Sequence, residues 1–491
     1  MTTAADITTL CKPLASLYNA ALSPQLLNMS HLSVSDLPYL PDSTAYFEAV
    51  RDFPNPVWLD SCRPFSAQGR YDIISADPSR LLSTREGRTQ DKGRHQSHSR
   101  TDNPFDLVAE AIAPLRTQAY KDLPFCGGAL GYFGYDLGRR LETLPIDAVA
   151  DIALPDMQVG IYDWAIVQDH QQQHAWLICL PSCPAPQRRD LLLRCGEAHT
   201  AAGSETANTF TINGFQANIK QEAYTSAIAR IHDYIRSGDC YQVNYTQRFS
   251  AACQGDSYQA YRHLRQVLPS PFSGYMGMEQ GAILSHSPER FLHLAGQQVE
   301  TKPIKGTIPR GSDPSSDSDN ALQLQQSAKD RAENLMIVDL LRNDLSKTCE
   351  LGSVRVPELF ALESYPNVHH LVSTVTGSLR TDQSPIDLLK GCFPGGSITG
   401  APKLRAMEII EELEPTRRSV YCGSLGYISA NGNMDTNIAI RTLVRDGNQL
   451  HCWGGGAITA DSTAAAEYQE SLDKIDVLMR ALEALSATDA R

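Results

Sequence analysis

A lysine and a glutamate in neighbouring segments are the first candidates for chemistry. Lys305 lies in PIKGTIPRG, where prolines on both sides restrict the backbone, and Glu289 lies in SPERF. A lysine attacks carbon only as a neutral amine, and its ordinary pKa is about 10.4, so a catalytic Lys305 has to be desolvated or lie near other cations. Glu289 could supply a proton. Taken alone, the two segments favour a simpler interpretation, an exposed lysine and a salt-bridged glutamate.

Two predicted helices carry carboxylates one turn apart. Asp330 and Glu333 are three residues apart on one helix, and Glu467 and Glu470 have the same spacing on the last one. Side chains at this spacing share a helix face, so two facing pairs would form an oxygen-rich site for Mg2+. Because acidic residues also cover most exposed helices, the spacing alone favours that alternative.

Two glycine-rich segments and one arginine predict anion binding. In GCFPGGSITGAPK a glycine-rich turn runs into a helix with Pro402 near its first turn, and free backbone N–H groups there bind carboxylate or phosphate. A P-loop does not fit, because Ala401-Pro402 stands where Lys-Ser/Thr is required. GGGA (Gly454–Ala457) follows the apparent strand LHCW, although a glycine run is also typical of a turn. Arg441, in the strand-like DTNIAIRTLV, is either a surface residue or, given its apolar neighbours, an anion clamp.

A small set of helices and strands must position these residues. Apolar residues at intervals of three and four, followed by a glycine, predict a helix over Gln221–Gly238, and YQVNYTQRF alternates like a strand. Two more helices are predicted, a long one from about Ala321 to Asn343 with an apolar stripe of Leu322, Ala328, Leu335, Val338 and Leu341, and a last one from about Ala464 to Leu485. The other predicted elements are strands at Trp164–Gln168 and Ala175–Leu180, a mobile loop or hairpin tip at Arg85–Asn103, a loop at Gly311–Asn320, and a seam at Ala198–Gly214.

Composition excludes several classes of protein. A formal charge of −13 disfavours a general nucleic-acid binder, which needs a clustered positive field. No run of about 18 apolar residues predicts a membrane span, and the start lacks the basic and apolar parts of a secretion signal. The 12 cysteines are scattered without metal-ligand spacing, so we expect reduced thiols and a cytoplasmic protein.

Nine segments then occur together in one order: SPERF, PIKGT, AKDRAENLMIVDLLRNDL, HHLVSTVTG, PGGSITGAPK, YCGSLGY, DTNIAIRT, GGGAITADS and EYQES. Through them the chain resembles the chorismate-utilising enzyme family, densely over Gln221–Leu482. GGALGYFGYDL, VWLDSCRP and GRYDIISADP resemble more loosely the amino-terminal part of its anthranilate and aminodeoxychorismate branches. So many ordered segments do not coincide by chance, and the simpler interpretations of each segment give way.

The resemblance separates the branches mainly at one residue. Aminodeoxychorismate enzymes typically have PIKGT, as here with Lys305, whereas anthranilate and isochorismate enzymes usually have alanine at that position. The water-adding relatives are similar to one another in a catalytic lysine where this chain has Gln242. The resemblance therefore implies amination of chorismate by ammonia, giving 4-amino-4-deoxychorismate for p-aminobenzoate and folate synthesis. The anthranilate branch and a non-catalytic regulatory subunit are the alternatives.

The resemblance also implies a role for each candidate residue. Lys305 would be the covalent nucleophile, Glu289 the general acid and base, and Mg2+ the cofactor. The implied metal ligands are Glu333 and Glu467 with Glu470 and Asp330 in support, and the implied chorismate contacts are Arg441, His370, Ser397, Thr399, Gly400, Tyr427, Gly454, Gly455, Gly456 and Lys474. Relatives hold tryptophan near the segment Trp58–Arg63, which suggests a pocket at Ser61 and Arg70, although LDS replaces the LLES of inhibitor-sensitive relatives.

The implied architecture is of the α+β class, a large α/β sandwich of two antiparallel sheets with flanking helices. Residues 1–210 would form an amino-terminal region and residues 211–491 the chorismate-binding catalytic region, both parts of one composite body. No segment resembles a glutaminase. Ammonia would therefore come from a separate glutamine amidotransferase subunit or from solution.

Overall fold

Two large antiparallel sheets with flanking helices form the computed structural model, which describes residues 32–116, 123–200, 210–365 and 368–489. This confirms the predicted fold class. In chain order the strands before the middle of the chain are β1 (Ser33–Leu37), β2 (Val57–Asp60), β3 (Tyr71–Ser75), β4 (Arg80–Arg85), β5 (Arg88–Gly93), β6 (Ser97–Arg100), β7 (Gly128–Phe133), β8 (Met157–Tyr162), β9 (Trp164–Asp169), β10 (His174–Cys179), β11 (Thr211–Ile212) and β12 (Gln216–Ala217). The later strands are β13 (Gln242–Gln254), β14 (Phe272–Gly277), β15 (Gly281–Ser287), β16 (Arg290–Ala295), β17 (Gln298–Thr301), β18 (Ile304–Pro309), β19 (Arg355–Ser364), β20 (Val368–Ser378), β21 (Gly400–Ala401), β22 (Ser424–Ser429), β23 (Met434–Asn437), β24 (Thr442–Asp446) and β25 (Gln449–Ile458).

Both sheets take strands from both regions of the chain. Sheet A has the order β1-β10-β9-β3-β2-β14-β15-β24-β25-β13-β11, and β12 and β21 also pair with β13. Sheet B has the order β18-β20-β17-β16-β23-β22-β7-β8-β4-β5-β6, and β19 also pairs with β20. In sheet A, β2 pairs with β14, and in sheet B, β7 pairs with β22. The amino-terminal and catalytic regions are therefore joined by continuous hydrogen-bonded sheets.

Sheet A lies between two apolar layers, because successive apolar side chains of its strands point to opposite faces of the sheet. Val57 and Ile73 point into the core between the two sheets, whereas their neighbours Trp58 and Ile74 point to the opposite face. Successive side chains of a strand face opposite sides, so one strand can serve both layers. The outer layer is covered by helices, which hold sheet A in the middle of the molecule.

The helices pack on the outer faces of the sheets and supply two of the site's elements. They are α1 (Thr44–Glu48), α2 (Pro104–Ile112), α3 (Ala185–Thr200), α4 (Gln221–Ser237), α5 (Ser257–Val267), α6 (Pro314–Gln326), α7 (Ala328–Ser346), α8 (Pro385–Cys392), α9 (Lys403–Leu413) and α10 (Ala464–Asp489). The predicted helix over Gln221–Gly238 is confirmed as α4, which Gly238 ends in a left-handed conformation. The last predicted helix is confirmed as α10, and it extends four residues beyond Leu485. In the described ranges, no helix is both long enough and apolar enough to cross a bilayer.

The long helix predicted from Ala321 to Asn343 is wrong, because two helices stand there. α6 ends at Gln326, and Ser327 in extended conformation caps the start of α7 by accepting a hydrogen bond from the backbone N–H of Asp330. The break changes the rotational phase, so that three of the predicted stripe residues, Leu322, Ala328 and Leu335, are exposed while Val338 and Leu341 are buried. The predicted loop over Gly311–Asn320 is also wrong, because α6 already begins at Pro314.

Two further expectations can be compared with the structure. Of the two alternatives predicted over Arg85–Asn103, a mobile loop or a hairpin tip, the hairpin is confirmed, because the stretch contains the paired strands β5 and β6, which extend sheet B. The strand-like run Asp435–Val444 is interrupted, because β23 ends at Asn437 and β24 begins at Thr442. Strands β9 and β10 confirm the two strands predicted at Trp164–Gln168 and Ala175–Leu180. The predicted seam falls mostly on residues 201–209, which lie outside the described residues.

Candidate active site

Two chain segments cross from one sheet to the other side by side, and each carries a candidate residue. One joins β15 of sheet A to β16 of sheet B through Glu289, and the other joins β23 of sheet B to β24 of sheet A through Arg441. The backbone N–H of Ile438 donates to the carbonyl of Glu289 (3.0 Å), and that of His286 donates to the carbonyl of Arg441 (3.0 Å). The crossing forces Arg441 to a φ of 48°, and it explains why DTNIAIRTLV is not one strand.

Lys305 lies on β18, at the edge of sheet B nearest to these crossings. Its Nζ donates a hydrogen bond to the carbonyl oxygen of Ser397 at 2.9 Å. Burial lowers the pKa of Lys305 below the ordinary lysine value, although the carboxylates of Glu333 and Glu289 oppose this effect. A lowered pKa enlarges the fraction of neutral amine, which is the form that attacks carbon.

Glu289 is buried, with only 4% of its surface exposed. Burial raises the pKa of its carboxyl group above the ordinary glutamate value, and the nearby Ser397 hydroxyl and Lys305 ammonium offset the rise only in part. A raised pKa increases the fraction of the carboxyl group that holds its proton at a given pH. The protonated form is the state a general acid requires.

The acidic residues of α7 and α10 converge beside Lys305. Glu333 and Glu467 are buried, and Glu470 is half-buried and paired with the ammonium of Lys474 at 2.7 Å. Burial raises the pKa of Glu333 to about 7, while Lys305 and Lys329 act in the opposite direction. Burial also acts to raise the pKa of Glu470, but its pair with Lys474 outweighs this and lowers it.

The glycines of β25 let α10 lie directly on the strand. A Cβ on Gly454 would lie 1.9 Å from the carbonyl oxygen of Ser471, which is far inside van der Waals contact. A Cβ on Gly456 would lie 3.1 Å from both Glu467 Oε2 and Glu470 Oε1. The predicted turn is therefore the end of a ten-residue strand, and its lack of side chains makes room for the carboxylates. Gly455 contributes its carbonyl oxygen, which accepts a hydrogen bond from Lys474 Nζ at 2.9 Å.

The residues present fit a Mg2+ ion by their chemistry. Glu333 Oε1 and Glu467 Oε2 are buried and have no hydrogen-bond partner. Hard carboxylate oxygens are the ligands that Mg2+ prefers, and an unpaired buried carboxylate oxygen is costly unless a cation completes it. In the described residues no three His, Cys, Asp or Glu side chains already converge as a finished metal site. Asp330 packs against Gly306 next to Lys305, since a Cβ on that glycine would lie 2.9 Å from Asp330 Cγ.

Arg441 and His370 form a neighbouring patch suited to an anion. The guanidinium of Arg441 makes no hydrogen bond or ion pair with the described residues, and burial lowers its pKa. The buried His370 ring accepts from or donates to Thr307 Oγ1 at 2.8 Å and meets the ring of Tyr365 edge-on. Burial, reinforced by Arg441, lowers the pKa of His370 to about 3, so the ring is neutral. An unpaired arginine beside a neutral histidine is arranged to bind a carboxylate and a hydroxyl.

The segment from Gly395 to Ala401 forms the opposite side of the site. Ser397 lies in a short 3-10 turn, Thr399 is fully buried with its hydroxyl on the carbonyl of Gly395, and Gly400 pairs with Val243. One further contact holds the turn: Arg418, itself paired with a buried glutamate, donates to the carbonyl of Ile398 at 2.9 Å. Pro402 immediately precedes α9 instead of lying in its first turn.

Three candidate residues lie elsewhere. Tyr427 and Arg70 line a separate cavity of about 320 Å3, which has Pro288 and Ile304 in its wall and so shares that wall with the active site. Tyr427 meets Phe125 edge-on, and Arg70 is paired with Asp169. Ser61 is buried and donates to Asp72, and it is absent from the cavity lining. The chorismate contact predicted for Tyr427 is therefore not supported by its position.

The sequence motifs did not predict a role in the site for three further residues. Lys329 Nζ lies 3.1 Å from Glu467 Oε1 and 3.9 Å from Glu333 Oε1. Asn244 donates to the carbonyl of Ser397 at 2.7 Å, so it shares that acceptor with Lys305. Gln242, two residues before Asn244 on the same face of β13, is fully buried with neither amide atom hydrogen-bonded. Strand alternation in YQVNYTQRF was the one available signal for the last two.

Comparisons with known proteins agree with this geometry. The profile of a family described as chorismate binding enzyme matches residues 55–480. Aminodeoxychorismate synthase component 1 of Klebsiella aerogenes is 50% identical, covering 91% of this chain and 98% of that protein, and its namesake from Escherichia coli is 47% identical, covering 89% and 95%. The crystal structure of anthranilate synthase component I from Streptococcus pneumoniae superposes with a TM-score of 0.76 at 32% identity, covering 84% of this chain and 93% of that one.

Proposed function

The chain belongs to the chorismate binding enzyme family and is an enzyme of the aminodeoxychorismate synthase component 1 type; we propose that it aminates chorismate through a covalent intermediate on Lys305. The observation that carries this proposal is the position of the Lys305 amine. It lies in a buried site with Glu289 and Glu333 as its charged neighbours. The name component 1 implies a partner subunit, and we propose that this partner is a glutaminase that delivers ammonia.

The first half of the proposed reaction uses both groups. The neutral amine of Lys305 attacks carbon 2 of the chorismate ring, both ring double bonds shift by one position, and the carbon 4–oxygen bond breaks. Hydroxide is a poor leaving group, so the proton held by Glu289 passes to that oxygen and water departs. The product is a secondary ammonium joining the lysine to carbon 2, with Glu289 left as a carboxylate.

The second half restores the ring. Ammonia forms a bond to carbon 4, both double bonds shift back, and the carbon 2–nitrogen bond breaks with its electron pair returning to Lys305. Glu289 then accepts the extra proton from the new amino group, so both residues end in their starting states. Mg2+ held by Glu333 and Glu467 would fix the ring carboxylate, and Arg441 would hold the enolpyruvyl carboxylate.

Substitution of the nucleophile tests the proposal. Lys305→Ala should lower 4-amino-4-deoxychorismate formation from chorismate, Mg2+ and ammonium by on the order of a thousandfold, because the displacement loses its nucleophile. Lys390→Ala is the matched control, since Lys390 lies away from the site and is paired with Asp106 at 2.8 Å. Near-normal turnover of the Lys305 variant would contradict the covalent role. Anthranilate as the main chromatographic product of the wild-type chain would instead assign it to the anthranilate branch.

We propose the cytoplasm as its compartment and keep tryptophan as a candidate occupant of the 320 Å3 cavity. All eleven cysteines of the described residues are free and buried, which suits a reducing compartment. The cavity offers the ring of Phe272 beside the positive charges of Arg70 and Lys302 and the carboxylates of Glu363 and Asp435, and the ring of Tyr71 also lines it. Rings together with charges of both signs suit an aromatic amino acid.

A further inference from the structure

Three lysine ammonium groups face the carboxylates of the active site, and they are held in different ways. Lys305 donates to the backbone carbonyl of Ser397, and Lys474 donates to that of Gly455. Lys329 donates to Glu467, and it makes no bond to a backbone carbonyl among the described residues. Its only tethers are therefore the carboxylates on which the proposed metal ion would bind.

The surroundings of Lys329 also leave it room to move. Lys329 is the second residue of α7, in the first turn of the helix, and 43% of its side chain is exposed. The side chain of Glu467 is only 1% exposed, and a second bond to Ser462 at 2.7 Å fixes the same oxygen that Lys329 contacts. The lysine stem is flexible and its ammonium is strongly hydrated, so it can swing into solvent while the glutamate stays in place.

We propose that Lys329 is a displaceable counter-ion, whose ammonium neutralises Glu467 and Glu333 in the metal-free protein and leaves when a divalent cation binds there. This inference rests on the magnesium site proposed above. The ammonium donates to Glu467 Oε1 and lies 3.9 Å from Glu333 Oε1, which is too far for a hydrogen bond, so that Glu333 Oε1 and Glu467 Oε2 have no hydrogen-bond partner. The lysine therefore supplies charge to the site and leaves one oxygen of each glutamate without a hydrogen bond.

Electrostatic repulsion gives the reason for displacement. Mg2+ binds carboxylate oxygens at about 2.0–2.1 Å, so an ion shared by the two glutamates would lie within a few ångströms of an ammonium left in its present position. Two cations that close repel strongly in a partly buried site. Part of the free energy of metal binding is then used to move Lys329. Removing the ammonium should consequently tighten metal binding and weaken the metal-free fold.

Calorimetric titration of the full chain with Mg2+ alone measures this directly. We expect Lys329→Met to bind Mg2+ at least tenfold more tightly than the wild type, and to unfold at a lower temperature in EDTA. Lys329→Gln provides a second neutral variant in case the first folds poorly. Lys329→Arg keeps the charge and should bind Mg2+ like the wild type. Lys390→Met removes an equal charge from a surface pair with Asp106 and should leave the affinity unchanged.

The outcomes separate this inference from the proposed function. Equal or weaker Mg2+ binding by both neutral variants, with measurable binding by the wild type, would overturn the role of Lys329 alone. Absence of binding in the wild type and in the neutral variants would overturn the magnesium site and this inference with it. Glu467→Gln identifies the site, because it should abolish the heat of binding in wild-type and Lys329→Met backgrounds alike.

Discussion

Beneath the amino-terminal helices, Asp60 and Asp72 are buried as deeply as the glutamates of the active site. The two pairs of residues differ in how many hydrogen bonds their carboxylate oxygens accept. Each oxygen of Asp60 accepts from Arg265 and from one further donor, Cys62 N–H or the Tyr261 hydroxyl. Both oxygens of Asp72 likewise accept two hydrogen bonds, from Ser61, Ser43 and His170. In the active site, by contrast, Glu333 and Glu467 each keep one oxygen without a hydrogen-bond partner.

The contrast teaches how to distinguish a structural charge network from a functional one. Burial is common to both places, and so are ion pairs. A carboxylate whose oxygens are all satisfied contributes to folding, whereas an unsatisfied one is tolerated only where a ligand completes it. The same rule applies to two other active-site residues, since the guanidinium of Arg441 and the amide of Gln242 have no hydrogen-bond partner among the described residues. The amino-terminal side also has exceptions among its uncharged groups, since the ring nitrogens of His286 and the indole nitrogen of Trp58 have no hydrogen-bond partner.

The largest effect that tests this comparison is on stability. Asp60→Asn removes the buried one of the two carboxylates that pair with Arg265 and leaves the partly exposed Asp42 as its partner, so this should destabilise the fold by about 3 kcal/mol. Glu467→Gln should cost less than about 1 kcal/mol in EDTA, because the lost partner, Lys329, is half exposed. Thermal unfolding of both variants in EDTA measures the difference. An equal loss of stability in the two variants would remove the distinction between the networks.

The next effect is a pH dependence of metal affinity that only the unsatisfied site should show. Because the pKa of Glu333 is raised to about 7, half of this carboxyl group is protonated at neutral pH, and a metal must displace the proton. Lowering the pH through 7 therefore weakens binding, and Mg2+ affinity should be about tenfold lower at pH 6 than at pH 8. Titration calorimetry at both values checks this. A dependence that survives in Glu333→Gln would have to come from another group.

The smallest effect tests whether Tyr427 contacts chorismate or lines only the separate cavity on the other side of the shared wall. Its ring lines the separate cavity with Arg70, so Tyr427→Phe should change the KM for chorismate by less than about twofold. Steady-state kinetics with varied chorismate is the measurement. A tenfold rise in KM would instead place the Tyr427 hydroxyl in the chorismate site, as the sequence predicted.

The motifs predicted the site better than they predicted its supporting structure. Lys305, Glu289 and the glutamates of α7 and α10 converge as expected, because their segments are short and each carries its own spacing. The error over Ala321–Asn343 arose because a single residue, Ser327, ends one helix and caps another, and helix periodicity does not register such a break. The bend at Arg441 depends on two sheets meeting, which no local pattern contains. Lys329 was overlooked because a lysine beside an acidic pair looks like an ordinary surface residue.

The pairing of β7 with β22 has a consequence for synthesis of the chain. Gly128–Phe133 must wait for Ser424–Ser429, about 300 residues later, before its edge is covered. At about 5–20 residues per second, a ribosome needs roughly 15–60 s to make the intervening chain. During that interval β7, which is buried along its whole length in the finished protein, has a hydrogen-bonding edge open to other chains. We expect the nascent amino-terminal half to be a chaperone client, and expression of residues 1–210 alone to yield aggregates.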